Sequence, residues 1–597
     1  MRSPASSSVS PIASNRHPPS VLKALVDRRL LRRQPAFEHA EPPPLARLTA
    51  VVLPALAAAS LTSALPRTAH GEPISIAAPA PRIELPAGRI EGSRAQVNGT
   101  RLHIFKGVPY AAAPVGASRW REPQPVERWA GIRDAKQFAP RCMQPQSFGD
   151  MRFRSASMSE DCLYLNVWTP ARSTDEKLPV LVYFHGGGFQ AGDGSEPRYD
   201  GANLAARGIV SVTVNYRLGV FGFLALPELA QGSPHGASGN YGLLDQVAAL
   251  RWVRDNIARF GGDPQRVTIG GESAGSASVS AHMASPLSSG LFAHAIGESG
   301  AAFASGVPLQ RRDAEKKGQA FLRQLSAPSL DALRNLPADT VQTASRDHES
   351  SSPEAALFWP HVDGYFLTEP PEATFRKGAQ AQVPLLVGTN SHEADVSWLR
   401  DNRDLAPAKW RDLLTSIFDD RADEALTHYP GHNATEIANA SSALAGDLLI
   451  DNGVWRWMNV HRETGHAPVY FYSYTHTRPP RQDTSPDTHP AAGAMQSSEI
   501  EYVFANLDRE PSYAWTADDR QVSRLFSGYF LQFVKHGNPN GPTLPNWPAV
   551  REDQGGLLRQ VIDTRTQTTV DRSAARQAFL ESFFRVHSPV RKGDTAS

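Results

Sequence analysis

Ser273 stands in the run Gly270-Gly271-Glu272-Ser273-Ala274-Gly275, directly after the apolar residues Val267-Thr268-Ile269. A serine with glycines two residues away on each side, between a strand-like run and a helix-like one, fits a nucleophile elbow. The glycines let neighbouring backbones close in on a turn that side chains would obstruct. The helix behind the turn would favour developing negative charge. A second small-residue run, His185-Gly186-Gly187-Gly188-Phe189, ends the segment "PVLVYF". Backbone N–H groups free of side chains are suited to holding an oxyanion. The competing reading, a phosphate cradle, lacks the Walker lysine and the G-x-G-x-x-G spacing. An oxyanion turn about ninety residues before a G-x-S-x-G serine is the order expected for acyl transfer.

The elements that must position these residues are legible from pattern. "LPVLVYF" (178–184), "GIVSVTVNYR" (208–217) and "VPLLVGTN" (383–390) are β-branched apolar runs of the kind buried on both faces of a sheet. Residues 239–264 carry apolar side chains at helical spacing and stop at Gly261-Gly262 and Pro264. Asn98-Gly99 between alternating segments reads as a hairpin turn. Strands alternating with helices predict an α/β fold with a mostly parallel central sheet. Residues 303–350 and 405–460 read as helical insertions over the site, and 476–490 as a polar loop.

The chain of 597 residues has 61 Lys plus Arg against 60 Asp plus Glu, so charge draws it to neither nucleic acid nor acidic membranes. Its two cysteines, Cys142 and Cys162, have no metal-ligand spacing. They are either separate buried thiols or, in an exported protein, a disulfide worth about 3 kcal/mol. Residues 1–46 form a low-complexity leader. Residues 47–71 hold a basic flank, a short apolar run and a small-residue exit, the pattern of a signal peptide. The expected organisation continues with a linker at 72–87, a single domain at 88–585 and a tail at 586–597. Secretion or periplasmic export is expected, with no membrane span in the mature chain.

Longer words make the resemblance specific. "FKGVPYAAAPVG" (105–116), "SEDCLYLNVWTP" (159–170), "HGGGF", "NYRLGVFGFL" (215–224), "FGGDPQRVTIGGESAGS" and "GESGA" (297–301) occur in one order along the chain. The chain resembles the type-B carboxylesterases, the cholinesterase and para-nitrobenzyl-esterase family of α/β-hydrolases. That resemblance implies an α/β-hydrolase fold and carboxylic ester hydrolysis through an acyl-Ser273 intermediate. It implies an oxyanion hole from the N–H groups of Gly187, Gly188 and Ala274, and Glu393 as the triad acid. Glu272 would be the family's buried carboxylate beside the nucleophile. Cys142 and Cys162 would form the family's first disulfide. No metal or organic cofactor is implied, and the expected partner is a small-molecule carboxylic ester; specificity and oligomeric state are not implied.

One position departs from the family. The word that carries the family's histidine reads Gln496-Ser497-Ser498-Glu499-Ile500-Glu501-Tyr502-Val503-Phe504 here, with glutamine where the base belongs. Glutamine can orient a hydroxyl but cannot take its proton at neutral pH. His489, seven residues upstream, is the expected substitute, with His392 and His476 as further candidates. Two other readings stand beside this one: Glu272 or water takes the proton, or the fold has become a silent binding or adhesion protein. Phe358, Trp359 and Trp398 are expected in core packing rather than in a substrate gorge.

Overall fold

The structure is a computed structural model that describes residues 80–145, 148, 150–303, 309–351, 358–394, 399, 406–482, 493–553 and 555–587. The expected leader, signal peptide and tail, together with Trp398 and His489, lie outside the described residues.

Among the described residues the main sheet has twelve strands. They are β1 (Ser93–Val97), β2 (Thr100–Pro109), β3 (Tyr164–Thr169), β4 (Leu178–Phe184), β5 (Val210–Val214) and β6 (Gly262–Glu272). They continue with β7 (His294–Glu298), β8 (Leu385–Asn390), β9 (Val469–Tyr474), β10 (Glu552–Asp553), β11 (Gly556–Ile562) and β12 (Gln567–Asp571). The spatial order is β1-β2-β3-β5-β4-β6-β7-β8-β9-β11-β10, with β12 also on β11. From β5 through β4, β6, β7, β8 and β9 to β11 every pairing is parallel. The outer pairs are antiparallel. This is the α/β-hydrolase arrangement expected from the sequence.

Alternation along the strands builds two cores. Val180, Val182 and Phe184 of β4 join Leu385 and Val387 of β8 on one face. Leu181, Tyr183, Ile296, Leu386 and Tyr472 occupy the other. Helices α1 (Tyr241–Asn256) and α2 (Ala274–Ala284) cover the first face through Leu243, Val247, Leu250, Val279 and Met283. Helix α3 (Ala517–His536) covers the second through Val522, Phe526, Phe530 and Phe533. Both faces of the parallel strands are therefore buried, which is why their sequences are continuously apolar.

Asn98 and Gly99 turn β1 into β2 with φ of 49° and 78°, the positive values a tight hairpin needs. Both predicted insertions are helical, at 311–351 and 407–464. The second has its own small core of Trp410, Leu414, Phe418, Tyr429 and Leu444, closed by Phe579 and Phe583. The linker boundary needs correction. A strand at Arg82–Leu85 pairs with Gly88–Glu91, so the last residues of the expected 72–87 linker belong to the folded domain. Leu85 is buried at the end of that strand, an anchor hidden in the sequence by its Pro- and Ala-rich surroundings. No helix among the described residues is long and apolar enough to cross a membrane.

Candidate active site

The predicted residues gather at the carboxyl ends of neighbouring parallel strands, where open α/β sheets bind ligands. His185–Phe189 follows β4, Ser273 follows β6, Glu393 follows β8, and Gln496 lies beyond β9.

Ser273 caps α2 with φ 56° and ψ −118°, off the regions that non-glycine residues favour. The neighbours hold it there. Its N–H donates to the Glu298 carbonyl over 2.8 Å, and its own carbonyl accepts from Ala277 N–H at 2.9 Å. A Cβ at Gly275 would overlap the Phe184 carbonyl oxygen, and one at Gly271 would lie 2.5 Å from the Gly275 carbonyl carbon and 2.7 Å from the Phe184 carbonyl oxygen. The turn therefore requires glycine on both sides. Ser273 itself is partly exposed.

The HGGG turn approaches from β4 with positive φ at Gly187, Gly188 and Phe189. Among the described residues, the N–H groups of Gly187, Gly188 and Ala274 donate to no carbonyl or side chain. Such unused donors are suited to an incoming negative oxygen. His185 lies buried behind them, stacked on Tyr216, and burial holds its imidazole down at about 4.

Gln496, which stands where the resemblance places the base, reaches Ser273. Gln496 Nε2 donates to Ser273 Oγ over 3.1 Å. Met495 and His392 form a parallel bridge, and Asn390 Nδ2 donates to the Met495 carbonyl at 2.8 Å, which fixes the backbone carrying Gln496. Glu393 accepts from Asn390 N–H through Oε1 at 2.6 Å. Its Oε2 is buried and has no hydrogen-bond partner among the described residues. The acid and the glutamine are thus held on adjoining loops, without a hydrogen bond joining the carboxyl to the serine.

The other candidates are placed elsewhere. His392 Nδ1 pairs with Ser442 Oγ at 3.0 Å. His476 bridges Asp519 and Asp563 at 2.8 and 3.4 Å, and these carboxylates raise its pKa against the effect of burial. Neither described histidine is hydrogen-bonded to Ser273. Phe358 packs in the main core with Trp359 against it, as expected. Cys142 and Cys162 are joined in a disulfide.

Of the buried carboxyls around the elbow, the sequence reading named Glu272 and Glu393 and missed Glu298, Asp451 and Glu499. Ser497 Oγ donates to Glu272 Oε1 at 2.7 Å, Tyr183 OH to Glu298 Oε1 at 2.9 Å, and Asn390 Nδ2 to Glu499 Oε2 at 2.5 Å. Burial, with Glu499 nearby, pushes Glu272 up to about 8. Burial also raises Glu499 to about 7, and Asp451 to about 7 with Asp447 beside it. Glu298 and Glu393 are held well above the carboxylate range, first by burial; for Glu393, Asp451 and Glu499 add to it. A signal for part of this set was present. Gly271-Glu272-Ser273 and Gly297-Glu298-Ser299 repeat one triplet, and β6 and β7 pair them in register. Ser299 and Ser497 share the positive φ of Ser273, at 52° and 65°. Strain collected at one place is a mark of functional sites.

Residues 79–579 match the model of the carboxylesterase family. The chain is 37% identical to a fumonisin B1 esterase of Sphingopyxis macrogoltabida, over 75% of this chain and 81% of that protein. It is 36% identical to a para-nitrobenzyl esterase of Bacillus subtilis, over 79% of this chain and 92% of the relative. A human cocaine esterase is 34% identical over 81% of this chain and 88% of its own length.

Proposed function

We propose that this chain, which belongs to the carboxylesterase family, hydrolyses small-molecule carboxylic esters through an acyl intermediate on Ser273, with its general base displaced from the family position. Ser273 Oγ attacks the ester carbonyl carbon, and the carbonyl oxygen becomes an oxyanion held by the N–H groups of Gly187, Gly188 and Ala274. Collapse expels the alcohol, and water then releases the acid. The observation that carries this reading is Ser273 held at φ 56° on a glycine-walled turn beside unused backbone donors. The relatives' names support ester substrates as a class; acyl and alcohol preferences are not carried over.

The proton of Ser273 cannot go to Gln496, whose Nε2 is already a donor to the hydroxyl oxygen. His489, on the same loop as Gln496 in the sequence, is the proposed acceptor. It returns the proton to the leaving alcohol, as the base of a triad does. The Cys142–Cys162 disulfide and the apolar run at 49–65 support an exported enzyme.

A second reading is favoured by one observation, the partnerless Glu393 Oε2 beside a glutamine-capped serine. In that reading the fold binds ligands or proteins without turnover. Hydrolysis of short-chain para-nitrophenyl esters separates the two. Turnover by the parent protein well above Ser273→Ala, and abolished by His489→Ala, supports the displaced-base enzyme. Activity confined to Gln496→His supports the silent one.

A further inference from the structure

The geometry points to Gln144 as a positioning residue for the oxyanion turn, a role that rests on the acyl-transfer reading above. Gln144 lies 48 residues before Gly192 and is buried. Its side-chain amide pairs with both backbone groups of Gly192: Nε2 donates to the Gly192 carbonyl at 2.9 Å, and Oε1 accepts from Gly192 N–H at 3.0 Å. The same Nε2 donates to the Cys142 carbonyl at 3.0 Å. A planar amide bonded on both edges has little freedom to rotate, so it fixes Gly192 in position and in direction.

Gly192 is the residue against which the turn is built. It has φ of 124°, and a Cβ there would overlap His185 Nδ1 and lie 2.6 Å from the Gly186 carbonyl oxygen. Next to it, Ala191 closes on Gly187: its N–H donates to the Gly187 carbonyl at 3.0 Å, and its own carbonyl occupies the space a Gly187 side chain would need. Gly187 and Gly188 then expose their N–H groups toward no partner among the described residues. Other supports act further along the chain. Tyr216 OH holds the His185 carbonyl at 2.7 Å, and Asn215 Oδ1 accepts from Gly194 N–H at 2.9 Å. Gln144 therefore ties the disulfide-anchored segment to the point where the turn folds back on its glycines. Its removal leaves two backbone groups of Gly192 without partners and loosens donors whose value depends on being fixed before the reaction.

The test compares the wild type with Gln144→Ala and Gln144→Glu, each also in a Gln496→His background. The readouts are para-nitrophenyl butyrate hydrolysis, inhibition by an alkyl trifluoromethyl ketone and melting temperature. The ketone's serine adduct carries the oxyanion, so its affinity reports the donors directly. Gln144→Ala is expected to lower kcat by about 10- to 100-fold with KM changed less than about two-fold, and to weaken the ketone by a similar factor. The protonated form of Gln144→Glu offers one donor and one acceptor, which matches Gly192. Its activity should approach the wild type at acid pH and fall as pH rises, a profile that general destabilisation would not produce. An active wild type with kcat and ketone affinity unchanged in both variants overturns the inference alone. A loss of activity that tracks melting temperature, without the acid rescue, does the same. A wild type and a Gln496→His protein that neither turn over nor form the adduct overturn the acyl-transfer reading as well.

Discussion

Gln496 Nε2 donates to Ser273 Oγ at 3.1 Å, while the buried Glu393 Oε2 has no hydrogen-bond partner among the described residues. The two facts belong together. An imidazole at 496 would accept from the serine and offer its second nitrogen to the carboxyl; the amide of Gln496 donates to the serine instead and makes no hydrogen bond to the carboxyl.

Replacing Gln496 with histidine should therefore increase turnover. The imidazole would be oriented by a carboxyl already fixed through Asn390, so kcat should rise by about 10²-fold or more over the wild type. The gain should appear in kcat, with KM little changed, in steady-state hydrolysis of a para-nitrophenyl ester.

Glu393→Gln should behave differently in the two backgrounds. In the wild type no imidazole among the described residues is hydrogen-bonded to Glu393, so the loss should be less than about three-fold. In Gln496→His the same change should cost on the order of 10³–10⁴ in kcat, as loss of a triad acid does. A double-mutant cycle on kcat measures that coupling.

Stability should decline on the alkaline side. Glu272, Glu499 and Asp451 are raised to about 8, 7 and 7, so the folded protein keeps protons that the unfolded chain has released. Stability from these groups falls as pH rises from about 4 through their folded-state values and levels off above them, by on the order of 1 kcal/mol per pH unit per carboxyl. His185, His282 and His294 act in the opposite sense, because burial lowers them to about 4, 3 and 4 and their contribution disappears as pH falls below the ordinary 6.5. The two sets oppose each other between about pH 4.5 and 6.5, so melting temperature should change little there and fall between about pH 6.5 and 8, less steeply in Glu499→Gln.

Packing at the elbow gives a prediction of its own. Gly275→Ala places a Cβ against the Phe184 carbonyl oxygen, inside the sheet, and should cost about 3 kcal/mol along with activity. Gly232→Ala meets nothing closer than 3.5 Å and should stay within about 0.5 kcal/mol of the wild type in urea unfolding.

The sequence was informative where chemistry was local. The strand, G-x-S-x-G and helix order placed Ser273 on a turn, and Asn98-Gly99 placed a hairpin, because close approach and positive φ leave a mark in residue type. The carboxyl group around the elbow left a weaker mark: Glu272, Glu298, Glu393, Asp451 and Glu499 are ordinary acidic residues until parallel pairing and loop packing bury them together. Gln144 was illegible for the same reason. Its partner Gly192 lies across a disulfide loop, and nothing in either residue's surroundings announces the pairing. His489 falls outside the described residues, so its part as the base rests on the sequence and on the experiment.

The most direct test is covalent labelling of Ser273 by a fluorophosphonate probe, followed by mass spectrometry of the peptide that carries it. The displaced-base enzyme predicts a phosphonyl adduct on Ser273 in the wild type, none in Ser273→Ala, slower labelling in His489→Ala and faster labelling in Gln496→His. A wild-type protein that stays unlabelled while Gln496→His reacts would contradict it, and would identify Gln496 as the residue that silences an intact elbow.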